Sequence, residues 1–281
     1  MSGSLRADFL GRCGERIFAL LHLPELASRP GCVLIVPPFA EEMNKSRRMM
    51  AQLARALAAQ GVAAACVDLY GTGDSEGEFE HATWERWASD VGLAATWCER
   101  VGHPVAHVVG IRLGCALAME ACKRLGRAMH GSVFWQPVTD GARVLEQFLR
   151  LRVAASMMDQ DKKETVKELR ERLRNGATLE IAGYQLSGAL ATAVDGVSLA
   201  ALASAADMGE VHWMEVVRET KPPTAPTANA MEALRARGRA VNYHQITGEP
   251  FWSATEIVSL PELIGRTAEV LCATPAALET I

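Results

Sequence analysis

The fold is decided by a single stretch, Ala106-His107-Val108-Val109-Gly110-Ile111-Arg112-Leu113-Gly114. Its first half is a short apolar run, which is typical of a strand buried on both faces of a sheet. The run leads directly into a Gly-x-x-x-Gly pentapeptide, and the small residues from Cys115 to Leu125 then predict a helix. Glycines at this spacing permit a sharp turn at which the strand and the helix approach closely. The pattern therefore predicts that Arg112, the middle residue of the turn, projects above the edge of the sheet in a strained backbone conformation.

Apolar runs alternate with amphipathic stretches on both sides of this turn. The runs predict buried strands at Cys32–Val36, Val62–Val67, Ala106–Val109 and Gly131–Gln136. The sheet is predicted to resume with strands at Val211–Val217 and Arg239–Ile246. Apolar residues at helical spacing predict helices from Ser46, from about Thr83 and from Cys115. The segment Lys221–Pro226 contains three prolines and is predicted to be a loop, because proline can neither donate to a ladder nor continue a helix. This alternation indicates an α/β fold with a mostly parallel, doubly wound sheet.

The alternation of apolar runs and amphipathic stretches stops between residues 140 and 205. Helices are predicted there for Val144–Leu151 and for the charged stretch Asp161–Asn175, and the following residues are rich in Ala and Leu. We interpret 140–205 as a helical cap inserted into a core formed by 1–139 and 206–281. A pocket is expected between the cap and the sheet.

Composition excludes several classes of protein. The chain has 281 residues, with 29 Lys and Arg against 33 Asp and Glu, and this net charge of -4 argues against a nucleic-acid binder. No apolar run reaches the roughly 18–20 residues that a membrane-spanning helix requires, and Met1–Leu10 does not resemble a secretory signal. The seven cysteines include no Cys-x-x-Cys pair, which disfavours a disulfide framework or a zinc site. We therefore expect a cytoplasmic protein without a metal or a cofactor.

Two further segments support the same fold. Asp68–Ser75 follows the second apolar run and resembles the Asp-x-x-Gly-x-Gly-x-Ser turn of α/β-hydrolases. Pro37–Glu42 follows the first run, where such enzymes keep the loop of the oxyanion hole. The backbone N–H groups of Phe39 and of Leu113, the residue after the turn's apex, would be the two donors of that hole.

The sequence as a whole resembles the second type of exosortase A system-associated hydrolase, a family within the α/β-hydrolases. The resemblance depends on Pro37–Lys45, Asp68–Ser75, Gly110–Gly114, Trp135–Val138 and Gly248–Trp252. It implies an α/β-hydrolase fold with an inserted cap. It also implies a bacterial protein that is encoded alongside exopolysaccharide and protein-sorting machinery, with a small-molecule ligand or a protein partner from that system.

The catalytic triad of a serine hydrolase is incomplete in this sequence. In this fold the triad runs in the order Ser, acid, His. Arg112 stands at the nucleophile position, and its guanidinium stays protonated at neutral pH. The last histidine, His244, lies inside the last predicted strand, and Gly248–Phe251 stand where the catalytic base is expected. Glu219 is the first candidate for the acid position after the preceding strand, and Glu215 is the second. Two of the three members are missing, so we expect no ordinary serine-hydrolase activity.

The favoured function is that of a degenerate hydrolase that binds an anionic or acyl-bearing ligand, or a partner. The residues expected at its site are Arg112, Glu41, Glu42, Glu249 and Trp252. Burying a guanidinium unpaired costs several kcal/mol, so a carboxylate or a bound anion is expected beside Arg112. Glu249 is the first choice for this counter-charge, Glu219 the second, and Glu41 or Glu42 the third.

Two alternatives remain. One is an active ester or thioester hydrolase with an unorthodox nucleophile, for which Cys115 is the best candidate because a helix N-terminus lowers the pKa of a thiol. Ser75 is interpreted as a turn hydroxyl rather than as a nucleophile. The other alternative is a scaffold without catalytic activity and without a ligand in the pocket.

Overall fold

The computed structural model describes residues 4–25, 31–126, 128–157, 164–203 and 206–273. The strands are β1 (Leu5–Leu10), β2 (Ile17–His22), β3 (Cys32–Val36), β4 (Ala63–Val67), β5 (Val105–Ile111), β6 (Gly131–Trp135), β7 (Leu179–Ile181), β8 (Tyr184–Leu186), β9 (Glu210–Val217) and β10 (Val241–Thr247). Eight of them form one sheet in the order β1-β2-β4-β3-β5-β6-β9-β10, and β7 pairs with β8 in a separate hairpin. Neighbours are parallel from β4 to β10, whereas β1 and β2 are antiparallel additions at one edge.

Helices cover both faces of this sheet. They are α1 (Glu41–Ala59), α2 (Trp84–Arg100), α3 (Gly114–Leu125), α4 (Gly141–Ser156), α5 (Val166–Arg174), α6 (Gly188–Asp195), α7 (Leu199–Leu202), α8 (Ala225–Arg235) and α9 (Pro261–Ala273). The helices α1 and α9 pack together on one face, and α2 and α3 pack together on the other. Among the residues that the structure describes, no helix is long and apolar enough to cross a bilayer.

All six predicted strands are present, with ends within two residues of their predicted positions. The doubly wound, mostly parallel sheet is therefore confirmed. Each β5 residue is buried, as the apolar run predicts, because helices cover both sides of this central strand. Side chains on opposite faces of the sheet fill two separate cores, and complete burial of one such side chain contributes roughly 1.5–3 kcal/mol.

Several predicted helix and loop boundaries were wrong. Helix α4 runs from Gly141 to Ser156 rather than from Val144 to Leu151, and α5 begins at Val166 rather than at Asp161, with residues 161–163 outside the described structure. Helix α1 begins at Glu41, well before Ser46, so that both glutamates of the preceding loop lie in its first turn. The predicted loop Lys221–Pro226 ends earlier than expected, because Ala225 and Pro226 open α8. Proline is tolerated in the first turn of a helix, where its missing N–H would have had no intrahelical partner.

Residues 141–203 contribute α4 to α7 and the β7–β8 hairpin, apart from 158–163, which lie outside the described residues. This segment lies against the loops at the carboxyl ends of the strands. The Phe148 ring of α4 contacts the Phe39 ring with 5.2 Å between centroids, and the Tyr184 hydroxyl donates to the Ala40 carbonyl at 3.2 Å. The interpretation of 140–205 as a cap stays a prediction.

Candidate functional site

Arg112 lies at a sharp turn between β5 and α3. Its φ is +55°, in the left-handed region that side chains other than glycine rarely adopt. The flanking glycines are required by close approach: a Cβ at Gly110 would lie 2.5 Å from the Cys115 Cα, and one at Gly114 would lie 2.4 Å from the Pro37 carbonyl oxygen. This is the strand–turn–helix geometry of a nucleophile elbow, with arginine at its apex.

The Arg112 guanidinium is held by four neighbours from different parts of the fold. Nε donates to Glu42 Oε1 at 3.0 Å, Nη1 to the Gln136 carbonyl at 3.3 Å, and Nη2 to Gln147 Oε1 at 3.4 Å. The Trp252 ring, from the loop after β10, lies 5.0 Å from the Arg112 Cζ in a cation–π contact. Arg112 is only 9% exposed. The side chain thus ties together α1, the end of β6, α4 and the loop after β10.

Backbone strain is concentrated around this guanidinium. In the described part of the chain, four residues other than glycine have a positive φ, and three of them are Ala40, Arg112 and Gln136. Gln136 is fixed in this conformation because its N–H donates to the Met214 carbonyl and its Oε1 accepts from the Val216 N–H, both at 2.7 Å. Strain of about 1–3 kcal/mol per residue persists only where the surrounding structure enforces it, and it is typical of functional sites.

The counter-charge of Arg112 is Glu42, the third choice from the sequence. The first choice, Glu249, is wrong, because this residue is exposed in the loop after β10 and forms no ion pair with Arg112. The second choice, Glu219, is also wrong, because it is exposed after β9. The early start of α1 explains the outcome, since it brings its first turn against the elbow.

The two glutamates of α1 are held in an unusual electrostatic environment. Burial raises the pKa of the Glu41 carboxyl to about 7, and the neighbouring Glu42 charge adds to this effect. Burial also raises the pKa of Glu42, although the positive charge of Arg112 opposes that shift. In the described structure, Oε2 of each residue is buried without a hydrogen-bond partner. The pair therefore places ionisable oxygens of high proton affinity beside the elbow.

The two predicted candidates for the acid position of a triad, Glu219 and Glu215, lie in different surroundings. Glu219 follows β9, but its side chain is exposed. The buried carboxylate nearby is Glu215, which accepts hydrogen bonds from Trp213 Nε1 at 3.2 Å, Thr227 Oγ1 at 2.9 Å and the Tyr243 hydroxyl at 2.8 Å. No histidine is among these three donors, so Glu215 does not orient a catalytic base.

The last histidine of the chain lies away from the elbow. His244 is in β10, beside α9, and its Nε2 is 3.2 Å from Nδ1 of His212 on the neighbouring strand. Burial lowers the pKa of both imidazoles. The loop Gly248–Trp252 stands where a catalytic base would approach the apex, and it contributes the Trp252 ring instead.

The two residues predicted to supply the oxyanion donors line a small apolar cavity. Within the described structure, the backbone N–H groups of Phe39 and Leu113 take part in no hydrogen bond. Both residues line a cavity of about 10 Å³, together with Trp87 and Leu117. This volume is close to the minimum for a single water molecule. The side of the elbow that would receive a substrate carbonyl is therefore nearly filled.

Neither alternative nucleophile is available for chemistry. Cys115 is fully buried, and burial raises the pKa of its thiol well above the ordinary value despite the nearby Arg112 charge. The expectation of a lowered thiol pKa was wrong, because desolvation outweighs the helix N-terminus. Ser75 is a turn hydroxyl, since its Oγ donates to the Asp68 carbonyl at 2.6 Å and accepts from the Phe18 N–H at 2.8 Å.

An open cleft of about 670 Å³ adjoins the other side of Arg112, and we call it the Arg112 cleft. It is bounded by α4, the end of β6, the β9–α8 loop and the loop after β10. Its exposed lining includes Arg143, Arg218 and Lys221, which form no ion pair with any described residue. Sequence reasoning missed these three residues. The signal available was the position of Arg218 and Lys221 immediately after β9, at the carboxyl edge of the sheet.

The sheet order, the elbow and the helices on both faces define an α/β-hydrolase fold. A family model for serine aminopeptidase, S33, matches residues 28–178, more than half of the chain, and the protein belongs to this family. A sequence search of curated proteins finds no match.

Solved structures with the same fold include hydrolases of several organisms. Est1E from Butyrivibrio proteoclasticus, with ferulic acid bound, has a TM-score of 0.70 and 15% identity over 95% of this chain and 99% of that chain. The α/β-hydrolase GrgF from Penicillium sp. sh18 has a TM-score of 0.64 and 16% identity over 97% and 99%. A thermostable carboxyl esterase from Bacillus coagulans, in complex with glycerol, has a TM-score of 0.61 and 12% identity over 97% of each chain. At these identities the likeness establishes the fold alone.

Proposed function

We propose that this protein is a non-hydrolytic member of its family that binds an anionic or acyl-bearing ligand in the Arg112 cleft. The observation that carries the proposal is the side chain at the elbow: Arg112 replaces the nucleophile, is fixed by Glu42, and opens on a cleft of about 670 Å³. This volume is within the range of small-molecule sites. In this proposal residues 140–205 act as a cap, since α4 supplies Arg143 and Gln147 to the cleft wall.

The chemistry of the site supports binding rather than turnover. Acyl transfer requires a nucleophile with an adjacent base, and removal of triad members typically lowers the rate by several orders of magnitude. Arg112 can provide neither group, and Cys115 is buried with a raised thiol pKa. The cavity beside the predicted oxyanion donors is also too small for a substrate carbonyl.

A fluorophosphonate probe and a p-nitrophenyl butyrate assay test the absence of hydrolysis. We expect no labelling and no turnover above background, in the wild type and in Cys115→Ala alike. Ester turnover that survives both Cys115→Ala and Ser75→Ala would refute the proposal. Turnover that is abolished by Cys115→Ala alone would establish a thiol hydrolase instead.

A thermal-shift screen of carboxylates, phosphates and acyl conjugates tests ligand binding, because a ligand that binds only the folded state raises the apparent stability. We expect at least one anion to raise the melting temperature. A screen without any shift would favour the scaffold function.

The resemblance to exosortase A system-associated hydrolases supports a narrower proposal about context. The ligand or partner would then belong to an exopolysaccharide or protein-sorting system in the cytoplasm. Deletion of the coding gene should reduce exopolysaccharide secretion, and an unchanged amount of secreted polymer would contradict this part of the proposal.

A further inference from the structure

Positive charge in the Arg112 cleft is divided between a neutralised floor and an unpaired mouth. The floor contains Arg112, which is buried and forms an ion pair with Glu42 at 3.0 Å. The mouth contains Arg143 from α4 and Arg218 and Lys221 from the β9–α8 loop, all of which are exposed. Because the floor guanidinium already has its carboxylate, attraction for an incoming anion is concentrated at the mouth.

The rest of the lining is apolar and polar in about equal parts, with Gln136, Thr139, Gln147, Thr224 and Thr227 on the polar side. Pro137 and Val138 extend from the end of β6, and Val216 and Val217 form the end of β9. The floor also contains the Glu215 carboxylate, which accepts hydrogen bonds from three neutral side chains. A group that passes the mouth therefore meets valine and proline side chains, the Arg112–Glu42 ion pair and a hydrogen-bonded carboxylate, and none of these offers an unpaired cation.

From this arrangement we infer that the cleft takes an amphiphilic anion, with a phosphate monoester head at the mouth and an apolar arm directed toward Arg112. The inference rests on the proposed function and specifies the ligand class and its orientation. It also separates two roles, since Arg143, Arg218 and Lys221 bind the head whereas Arg112 forms part of the floor.

The charge at the mouth favours a doubly charged head. Glu219 is the acidic residue of the exposed lining, so the three cations exceed it by two charges. A phosphate monoester carries nearly two negative charges at neutral pH, whereas a carboxylate carries one. The two guanidinium groups can also form bidentate hydrogen bonds with phosphate oxygens.

Isothermal titration calorimetry on the full-length protein tests this inference with n-octyl phosphate as the probe. Inorganic phosphate tests the head without the arm, and n-octanol tests the arm without a charged head. Octanoate tests a head with one negative charge. We expect n-octyl phosphate to bind at least tenfold more tightly than each of the three. Its affinity should fall as ionic strength rises, because the cations are exposed to solvent.

Single substitutions test the location of the head. Arg143→Ala, Arg218→Ala and Lys221→Ala should each weaken n-octyl phosphate binding roughly tenfold, the value for one charge-assisted hydrogen bond. Arg150→Ala is a matched control, because Arg150 also lies on α4 but pairs with Glu146 and does not line the cleft. This control should bind as the wild type does.

Several results would overturn the inference. Octanoate binding as tight as n-octyl phosphate binding would refute the doubly charged head, and equal binding of inorganic phosphate would refute the apolar arm. Unchanged affinity in all three mouth variants would refute the location, as would the absence of any binding. Failure of the proposed function would appear separately as ester turnover or fluorophosphonate labelling, which involve no anionic probe.

Discussion

Arg112 combines three properties that are rarely found in one residue: a positive φ, a buried charge and a place at the apex of an elbow. The strained backbone would favour glycine, and burial would favour an apolar side chain. The residue is tolerated because Glu42, Gln136, Gln147 and Trp252 together compensate the charge and fix the side chain. An ion pair of this kind stabilises the fold mainly by avoiding an uncompensated charge.

Removal of the guanidinium should therefore destabilise the protein. We expect Arg112→Ala to lower the free energy of unfolding by about 3–5 kcal/mol in urea denaturation, because Glu42 is left buried without its partner. The double variant Arg112→Ala/Glu42→Gln should recover part of that loss. Arg112→Gly should be more stable than Arg112→Ala by roughly 1 kcal/mol, since glycine accepts a φ of +55° without strain. An unchanged unfolding midpoint in Arg112→Ala would contradict the structural role of this ion pair.

The charge on Glu41 should make stability fall as pH rises. Its pKa is raised to about 7 in the folded state, above the ordinary value of about 4.5, so the folded protein binds the proton more tightly than the unfolded chain. The contribution is complete below pH 4.5 and is lost as pH rises through 7. Glu41→Gln should consequently stabilise the protein relative to the wild type at pH 8 and much less at pH 5. Chemical denaturation at the two pH values measures this, and an equal effect at both would contradict it.

At the scale of the elements, strand–turn–helix geometry depends on two glycines that allow backbones to touch. Helix α3 begins at Gly114, where the nearest atoms to a new Cβ would be the carbonyl oxygens of Pro37 and Val36 at 2.4 and 2.7 Å. Both belong to the backbone at the end of β3 and cannot move independently of the sheet. The contact fixes the distance between α3 and the loop that leads into α1.

Gly114→Ala should accordingly be severely destabilising or prevent folding. Gly92→Ala is the matched control, because Gly92 is inside α2 and the nearest atom to its new Cβ is a Leu125 side-chain carbon at 3.6 Å. The control should gain roughly 0.5–1 kcal/mol from the higher helix propensity of alanine. Thermal unfolding monitored by circular dichroism distinguishes the two, and similar melting temperatures would contradict the close approach.

At the scale of the elements, the strands with the clearest sequence signal are buried apolar runs. β3 is a continuous apolar run, as is β5 apart from His107, and their burial on both faces follows directly from that pattern. Strand β1 was not predicted, because five of its six residues are exposed and its sequence contains Arg6 and Asp8. Short, exposed strands carry little apolar signal, and tertiary pairing decides whether they form.

At the scale of the whole molecule, the candidate site joins segments that are distant in the sequence. The Arg112–Glu42 pair links residues 70 positions apart, and the cleft adds Arg143 and Lys221 from later elements. The sequence predicted that Arg112 needs a carboxylate, because the cost of an unpaired buried charge is general. It could not select Glu42, because that choice depends on where α1 starts and how it is oriented against the elbow. The local sequence pattern therefore predicted the turn at Arg112, whereas the identity of its carboxylate partner depends on the folded structure.

Stability of the whole molecule should also fall in weak acid, in part because of His107. This residue lies in β5, is 5% exposed, and has a buried Nδ1 without a hydrogen-bond partner among the described residues. Burial, and to a lesser extent the nearby His130, lowers the pKa of its imidazole to about 4. The unfolded chain, with a pKa of about 6.5, binds a proton before the folded protein does. The contribution is complete above pH 6.5 and is lost as pH falls toward 4.

His107→Gln should reduce the slope of unfolding free energy against pH between 6.5 and 4. The share due to His107 is at most about 3 kcal/mol over this interval, since one pKa unit corresponds to about 1.4 kcal/mol. His81→Gln is the control, because that side chain is 65% exposed. Urea denaturation at half-unit pH steps gives the slope for each variant. The slope is compared rather than the absolute stability, because loss of the ring also changes packing in the core. If His107→Gln and the wild type show the same slope, burial of a neutral imidazole is not what makes this fold acid-sensitive.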